Sequence, residues 1–239
     1  MEETYNLKAI VLKSEPWRED GARILTYSAE RGKLELAARG IKKISSKLAG
    51  HLEPITFSNI MAVRGRHYDY VGSAVGENCY VNIKSDSEKL EAAGRIINIF
   101  NKIVKEGEKD EKLFILLRGA LDILNNGQLI CLPAGQLLIG FFTLKLLAFL
   151  GHRPELYNCV ICGKKILPGG NKFDFAKGGA ACDNCGGQSA LTISDNCIKV
   201  LRVVAENDLK KTANINIGRT LKEESIKVIS SFLKFNYDS

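Results

Sequence analysis

The 239 residues read as an α+β, multi-domain chain in which a small β-barrel precedes a helical domain that carries an insertion. Three features lead to that reading. The first eighty or so residues are short runs of β-branched, aromatic and alternating residues. From about Ser85 the apolar residues recur at three- and four-residue spacing instead. Within the helical part, two Cys-x-x-Cys pairs stand nineteen residues apart.

The strands come first. KAIVLKS (8–14), ARILTYS (22–28), KLELAAR (33–39), PITFSNIMAV (54–63) and HYDYVGSAV (67–75) are five short strand candidates. Arg31-Gly32, the stretch from Gly50 to Pro54, and Arg64-Gly65-Arg66 separate the later ones as turns. Five strands with no helical pattern between them fit a closed OB-fold barrel, not a parallel sheet with alternating helices. The barrel is expected over residues 1–80, and the helical domain over 81–239.

Ser85 or Ser87 is the expected cap of a first helix, with apolar positions Leu90, Ile96, Ile97, Phe100 and Val104. A second helix carries Leu113, Leu116, Leu117, Leu121 and Leu124, and ends at Asn125-Asn126-Gly127. The apolar stretch 129–151 is interrupted by Pro133, Gln136, Thr143 and Lys145, so it reads as a buried core helix and not a membrane span. Gly151 with Pro154 beyond is its stop. Ser194 caps a helix bearing Ile198, Leu201, Val203 and Val204, and a last helix runs from about Thr220 to Phe235.

The insertion, at about 156–190, holds the chemistry with the most specific spacing. Cys159 and Cys162 form one pair, Cys182 and Cys185 the other. A two-residue spacer lets one tight turn aim both sulfurs at the same ion, and four thiolates close a tetrahedral shell. The expectation is one structural Zn2+ in a zinc-ribbon-like segment, with no open position for a reacting water. Gly163 and Gly186 follow the second cysteine of each pair, where a glycine relieves crowding. Disulfides are disfavoured because the acidic opening MEETYNLKAI lacks the pattern of a secretory signal; the chain reads as cytoplasmic. Cys79, Cys131 and Cys197 lie in apolar contexts and are expected to be small buried residues. His51, His67 and His152 fall in no metal or nucleophile motif, and His152 suits the end of a helix dipole. No phosphate-binding glycine motif is present either, so the sequence offers no catalytic constellation.

A net charge of +7 favours anionic partners. The excess is local: RGIKKISSKLAG (39–50) holds Arg39, Lys42, Lys43 and Lys47 with no acid among them. Such a run is either a solvated face or a surface for phosphates. OB-folds hold single strands with cations on the backbone and aromatics on the bases, which brings in Arg64 and Arg66. Tyr68 and Tyr70, two residues apart, either stack on bases or fill the barrel core.

The pieces RILT (23–26), RGK (31–33), ARGIKK (38–43) and SKLAGHLEP (46–54), joined by the paired cysteines, resemble the RecO family of bacterial recombination mediators over essentially the whole chain. Ala22 stands where that family commonly has an acid before the RIL segment. The resemblance implies a non-enzymatic DNA repair protein. Such proteins bind single- and double-stranded DNA, anneal complementary strands, and help load the recombinase onto DNA coated with single-strand-binding protein. It implies RecR and the acidic, Phe-ended C-terminal tail of single-strand-binding protein as partners, and a nucleoid-associated cytoplasmic location. On it, the DNA role falls on Arg39, Lys42, Lys43 and Lys47, and the metal on the four cysteines. Lys199, Arg202, Lys210, Lys211, Lys222 and Lys227, around apolar helix faces, are the cations expected to attract the acidic tail. The rival from another class is a zinc-ribbon interaction scaffold whose barrel binds protein or RNA; it gains if acids of the helical domain neutralise the 39–50 segment.

Overall fold

The computed structural model describes residues 3–127, 135–212 and 215–237, which form two compact units, Met1–Gln128 and Leu129–Ser239. Cys131 and Pro133 lie outside the described residues.

In the first unit five strands close a barrel in the order β1-β2-β3-β5-β4. They are β1 (Thr4–Trp17), β2 (Gly21–Ser28), β3 (Gly32–Ala38), β4 (Thr56–Val63) and β5 (Asp69–Asn78). That order, with β3 and β5 parallel at Leu36↔Asp69 and Ala37↔Tyr70, is an OB-fold. β1 is twice as long as its sequence pattern suggests because it serves two neighbours. Thr4–Val11 pairs with β4, Ala9–Trp17 with β2, and the register shifts between Val11 and Lys13. Such a bulge bends a strand and raises its twist, which a closing barrel needs. Pro16 is tolerated because β1 has no β4 partner beyond Val11.

The barrel core is aliphatic: Leu7, Val11, Ile24, Leu36, Ile60 and Val71 with alanines between them. Three helices complete this unit: α1 (Val81–Lys84), α2 (Ser87–Ile103) and α3 (Glu111–Asn126). They pack on the outside of the barrel. Tyr27 of β2 meets Phe100 of α2 edge-on at 4.7 Å, Phe57 of β4 meets Phe114 of α3 at 6.0 Å, and the Lys33 ammonium donates to the Asn101 carbonyl at 2.7 Å. Neither Ser85 nor Ser87 caps α2. Asp86 does, in extended conformation, its carboxylate accepting from the Glu88 and Lys89 N–H groups. Leu90 is 42% exposed, and Ala92 and Ala93 take its expected place in the core. Gly127 ends α3 in extended rather than left-handed conformation.

In the second unit α4 (Gln136–Phe149) is buried nearly all round, as expected of a core helix. It stops in a Schellman turn: Gly151 at φ +88°, with the His152 N–H donating to Leu147 O and the Gly151 N–H to Ala148 O. His152 lies edge-on to Tyr237 at 5.5 Å. A small sheet follows, β6 (Lys172–Asp174), β7 (Gly179–Ala181) and β8 (Leu191–Thr192), ordered β7-β6-β8. Helices α5 (Asp195–Glu206), α6 (Leu209–Thr212) and α7 (Arg219–Tyr237) complete the unit. Ser194 caps α5 as expected, accepting from the Cys197 N–H at 3.1 Å. Val203 does not join the core; it is 43% exposed. Phe173 of β6 meets Phe232 of α7 edge-on at 5.5 Å, anchoring the small sheet. Among the described residues no helix is long and apolar enough to cross a membrane.

Candidate nucleic-acid interface and metal centre

In the barrel unit, the segment after β3 is anchored at its two ends by apolar residues, while Ile44 between them is fully exposed. Ile41 and Leu52 are buried against the barrel core and Leu48 is partly buried there, while Lys42, Lys43 and Lys47 point outward. The Lys42 N–H donates to Asp20 O at 3.1 Å, tying the segment to the turn between β1 and β2. Hydrophobic burial thus fixes the backbone and leaves the cations on the surface.

These cations are not equivalent. Lys42, Lys47 and Arg66 are exposed and make no ion pair among the described residues. Lys43 lies 3.8 Å from Asp20, so it is not wholly unneutralised, and the acid comes from the barrel itself. Both side chains are more than half exposed, which leaves that pair weak. The Arg39 guanidinium covers the Tyr70 ring at 4.0 Å. Arg64 is paired with Glu3 at 2.7 Å.

The turn between β4 and β5, which carries Arg64, Arg66 and Tyr68, is pinned by Asp69. Its carboxylate accepts from the Tyr5 hydroxyl and from the Gly65 N–H. Burial, then the Asp69 hydrogen bond and charge, push the Tyr5 hydroxyl far above its usual range, so it stays a donor. Gly65 is required there: a Cβ would stand 2.1 Å from Tyr68 O and 2.7 Å from the Tyr70 ring.

Neither Tyr68 nor Tyr70 fills the core. Tyr68, just before β5, is 40% exposed and lies edge-on to Trp17 at 5.8 Å; Tyr70 is half-buried beneath Arg39. Sequence reasoning missed Trp17, Arg18 and Arg23, although the chain's single tryptophan beside an arginine at a hairpin end was a visible signal.

In the second unit the four expected cysteines come together. The sulfurs of Cys159, Cys162, Cys182 and Cys185 all lie within 4.8 Å of one another. Cys162 and Cys182 are 3.9 Å apart, against about 3.8 Å between sulfurs around a tetrahedral zinc with ~2.3 Å Zn–S bonds. Each pair sits in a one-turn knuckle: the Gly163 N–H donates to Cys159 O, and the Cys185 and Gly186 N–H groups to Cys182 O. Gly163 has φ +72°, whereas a Cβ at Gly186 would stand 2.6 Å from the Lys172 side chain, which would have to shift. Burial opposes ionisation of Cys159, but N–H groups of Cys162, Cys182 and Ile161 overcome it and bring the thiol down to about 6. Hydrogen bonds to the Cys182 and Cys162 sulfurs push Cys185 up to about 12. The first thiolate is welcome and the last is not, until a cation joins them. The donor set and spacing fit a metal ion.

Cys197 is buried, as expected, and Cys79 only half-buried. His51 is structural, accepting from the Gly76 N–H at 3.2 Å. Of the C-terminal cations, Arg202 is engaged within the fold, donating to the Leu156 carbonyl and stacked on Tyr157 at 4.5 Å; Lys199, Lys210, Lys211 and Lys227 are exposed and Lys222 partly so.

Residues 1–79 match the family model described as "Recombination protein O N terminal", and residues 84–239 match "Recombination protein O C terminal". The "DNA repair protein RecO" of Desulforamulus reducens is 32% identical over 233 residues, covering 97% of this chain and 89% of that protein. The protein of the same name from Thermoanaerobacter sp. is 29% identical over 95% of this chain and 90% of its own length. That of Roseiflexus sp. is 29% identical over 96% and 80%.

Proposed function

The chain belongs to the RecO family, and on that premise we propose that it is a DNA-binding recombination mediator of DNA repair. In this reading it binds single- and double-stranded DNA, anneals complementary strands, and helps load the recombinase onto DNA coated with single-strand-binding protein. The observation that carries the reading is the anchored loop at 39–52: Ile41 and Leu52 buried against the barrel, exposed lysines outside it.

Arg39, Lys42, Lys43 and Lys47 are the proposed phosphate contacts, with Arg66, and with Arg64 once it is released from Glu3. Two complementary strands repel through their phosphates; a basic surface holding both screens that repulsion and releases counterions. Base pairing then supplies the sequence check, so the protein needs no base-specific readout. Residues 1–80 are the proposed nucleic-acid-binding domain and 81–239 the helical domain with its insertion at 156–190. That boundary follows chain character; the first compact unit runs further because α1–α3 pack on the barrel.

For the metal we propose one Zn2+, held by Cys159, Cys162, Cys182 and Cys185, with a structural role. Four protein ligands leave no position for a reacting water, and we assign the chain no catalytic residue. RecR and the tail of single-strand-binding protein are the proposed protein partners, the tail docking on the helical domain, and the proposed location is the cytoplasm, at the nucleoid. The acid nearest Lys43 belongs to the barrel and not to the helical domain, so the neutralisation that would support the interaction-scaffold reading is not found at that lysine.

Fluorescence-monitored annealing of complementary strands, bare and coated with single-strand-binding protein, tests the reading. Acceleration of both is expected. Absence of acceleration with bare strands, in protein that binds neither strand, refutes it.

A further inference from the structure

The barrel leaves its most stackable side chains outside. Trp17, the only tryptophan in the chain, is half-buried where β1 ends, and the aliphatic barrel core does not include it. Arg18 lies 4.1 Å over its ring, and Arg23 lies 5.8 Å from Trp17 and 5.3 Å from Tyr68. Tyr68 closes the group edge-on to Trp17 at 5.8 Å. Beside them is a recess of about 210 Å³ lined by Trp17, Arg18, Gly21, Arg39 and Gly40, with Glu19 and Asp20 on its wall. Arg18 has φ +56°, a left-handed conformation that non-glycine residues seldom adopt and that concentrates at functional sites.

We propose that Trp17 and Tyr68, interleaved with Arg18 and Arg23, form a stacking site for one unpaired base of single-stranded DNA. This deepens the DNA-binding reading above and rests on it. Every base has a π-face, and bases stack on aromatic rings and guanidinium planes without regard to sequence. The recess is below the roughly 300–1,000 Å³ of ordinary small-molecule sites, so it suits a single planar group. Glu19 and Asp20 repel phosphate, so the base enters the recess and the backbone runs past its rim, where Arg39 and Lys43 are exposed. A base arriving on Trp17 displaces Arg18, whose exposed cation–π contact is weaker than base stacking, and frees its guanidinium for phosphate. In a duplex the base faces are covered by their neighbours. The site therefore adds affinity for single strands alone, on top of the phosphate contacts that serve both forms.

The test uses the full chain and three labelled probes of equal length: an oligothymidylate, an abasic backbone and a duplex. Anisotropy reads affinity, and intrinsic emission at Trp17 reads contact with the base. Oligothymidylate should quench Trp17, and abasic backbone should not. Trp17→Ala should weaken oligothymidylate binding about 5- to 160-fold, leave the abasic and duplex affinities within twofold, and leave the salt slope unchanged. Trp17→Phe, which keeps a ring, should restore most of the loss and separates stacking from misfolding. Equal affinity for oligothymidylate and abasic backbone overturns the site, as does binding without quenching, or an equal loss on all three probes in Trp17→Ala. Wild-type protein that binds none of the three overturns the DNA-binding reading itself.

Discussion

Replacing Lys42 and Lys43 together by alanine separates the charge of the loop after β3 from its fold. Each phosphate contact contributes roughly 0.7 to the slope of log affinity against log salt on single strands, and roughly 0.9 on duplex. Lys42 has no ion-pair partner among the described residues and counts in full. Lys43 stands 3.8 Å from Asp20 with side chains 61% and 51% exposed, a pair of the kind worth about 0–1 kcal/mol, so it too exchanges readily to phosphate. The double variant should therefore flatten the slope by about 1.4 on single strands and about 1.8 on duplex. Stability should change by no more than about 0.5 kcal/mol. The loop is held by Ile41, Leu52 and the Lys42 N–H bond to Asp20 O, all of which alanine retains. Arg64→Ala should flatten the slope less than either lysine, because its guanidinium already has Glu3 at 2.7 Å. Anisotropy titrations from about 50 to 200 mM salt, on two unrelated sequences, provide the measurement, and both sequences should lose affinity equally. An unchanged slope would make these lysines an ordinary solvated face. A loss confined to one sequence would mean they read bases.

Cys162→Ser should lose the bound metal and raise hydrogen exchange across the insertion, because metal binding and local folding are coupled; metal-free wild-type protein prepared without chelator would refute the centre. Phe100→Ala should cost about 3–5 kcal/mol, since its ring is fully buried against Tyr27; a denaturation midpoint near that of the wild type would show that α2 contributes little to the barrel unit. Burial pushes the Tyr27 hydroxyl up to about 12, so the folded chain keeps a proton that the unfolded chain loses near ~10. The folded state then binds more protons above that pH, and stability falls as pH rises through the window. Tyr27→Phe should make the urea midpoint fall less between about pH 9 and pH 11; an identical decline would show that the hydroxyl does not titrate with unfolding.

Much of this architecture is local and was legible in the residues alone. Period-two strands, the leucine stripe of α3, the Ser194 cap and the Gly151 stop each depend on neighbours within a turn or two. The four-cysteine cluster was legible for the same reason: a Cys-x-x-Cys knuckle is one turn of backbone, and only the meeting of the two knuckles needed the fold. Tertiary structure decided what pairing at a distance controls. The length of β1 follows from its serving two partners, and the unit boundary from α2 and α3 covering Tyr27 and Phe57. Glu3 neutralises Arg64, Asp20 weakly engages Lys43, and Trp17 meets Tyr68, although each pair is distant in the chain. These meetings depend on the register in which the barrel closes. A shift of one residue turns every side chain to the opposite face, so no local pattern could have specified them.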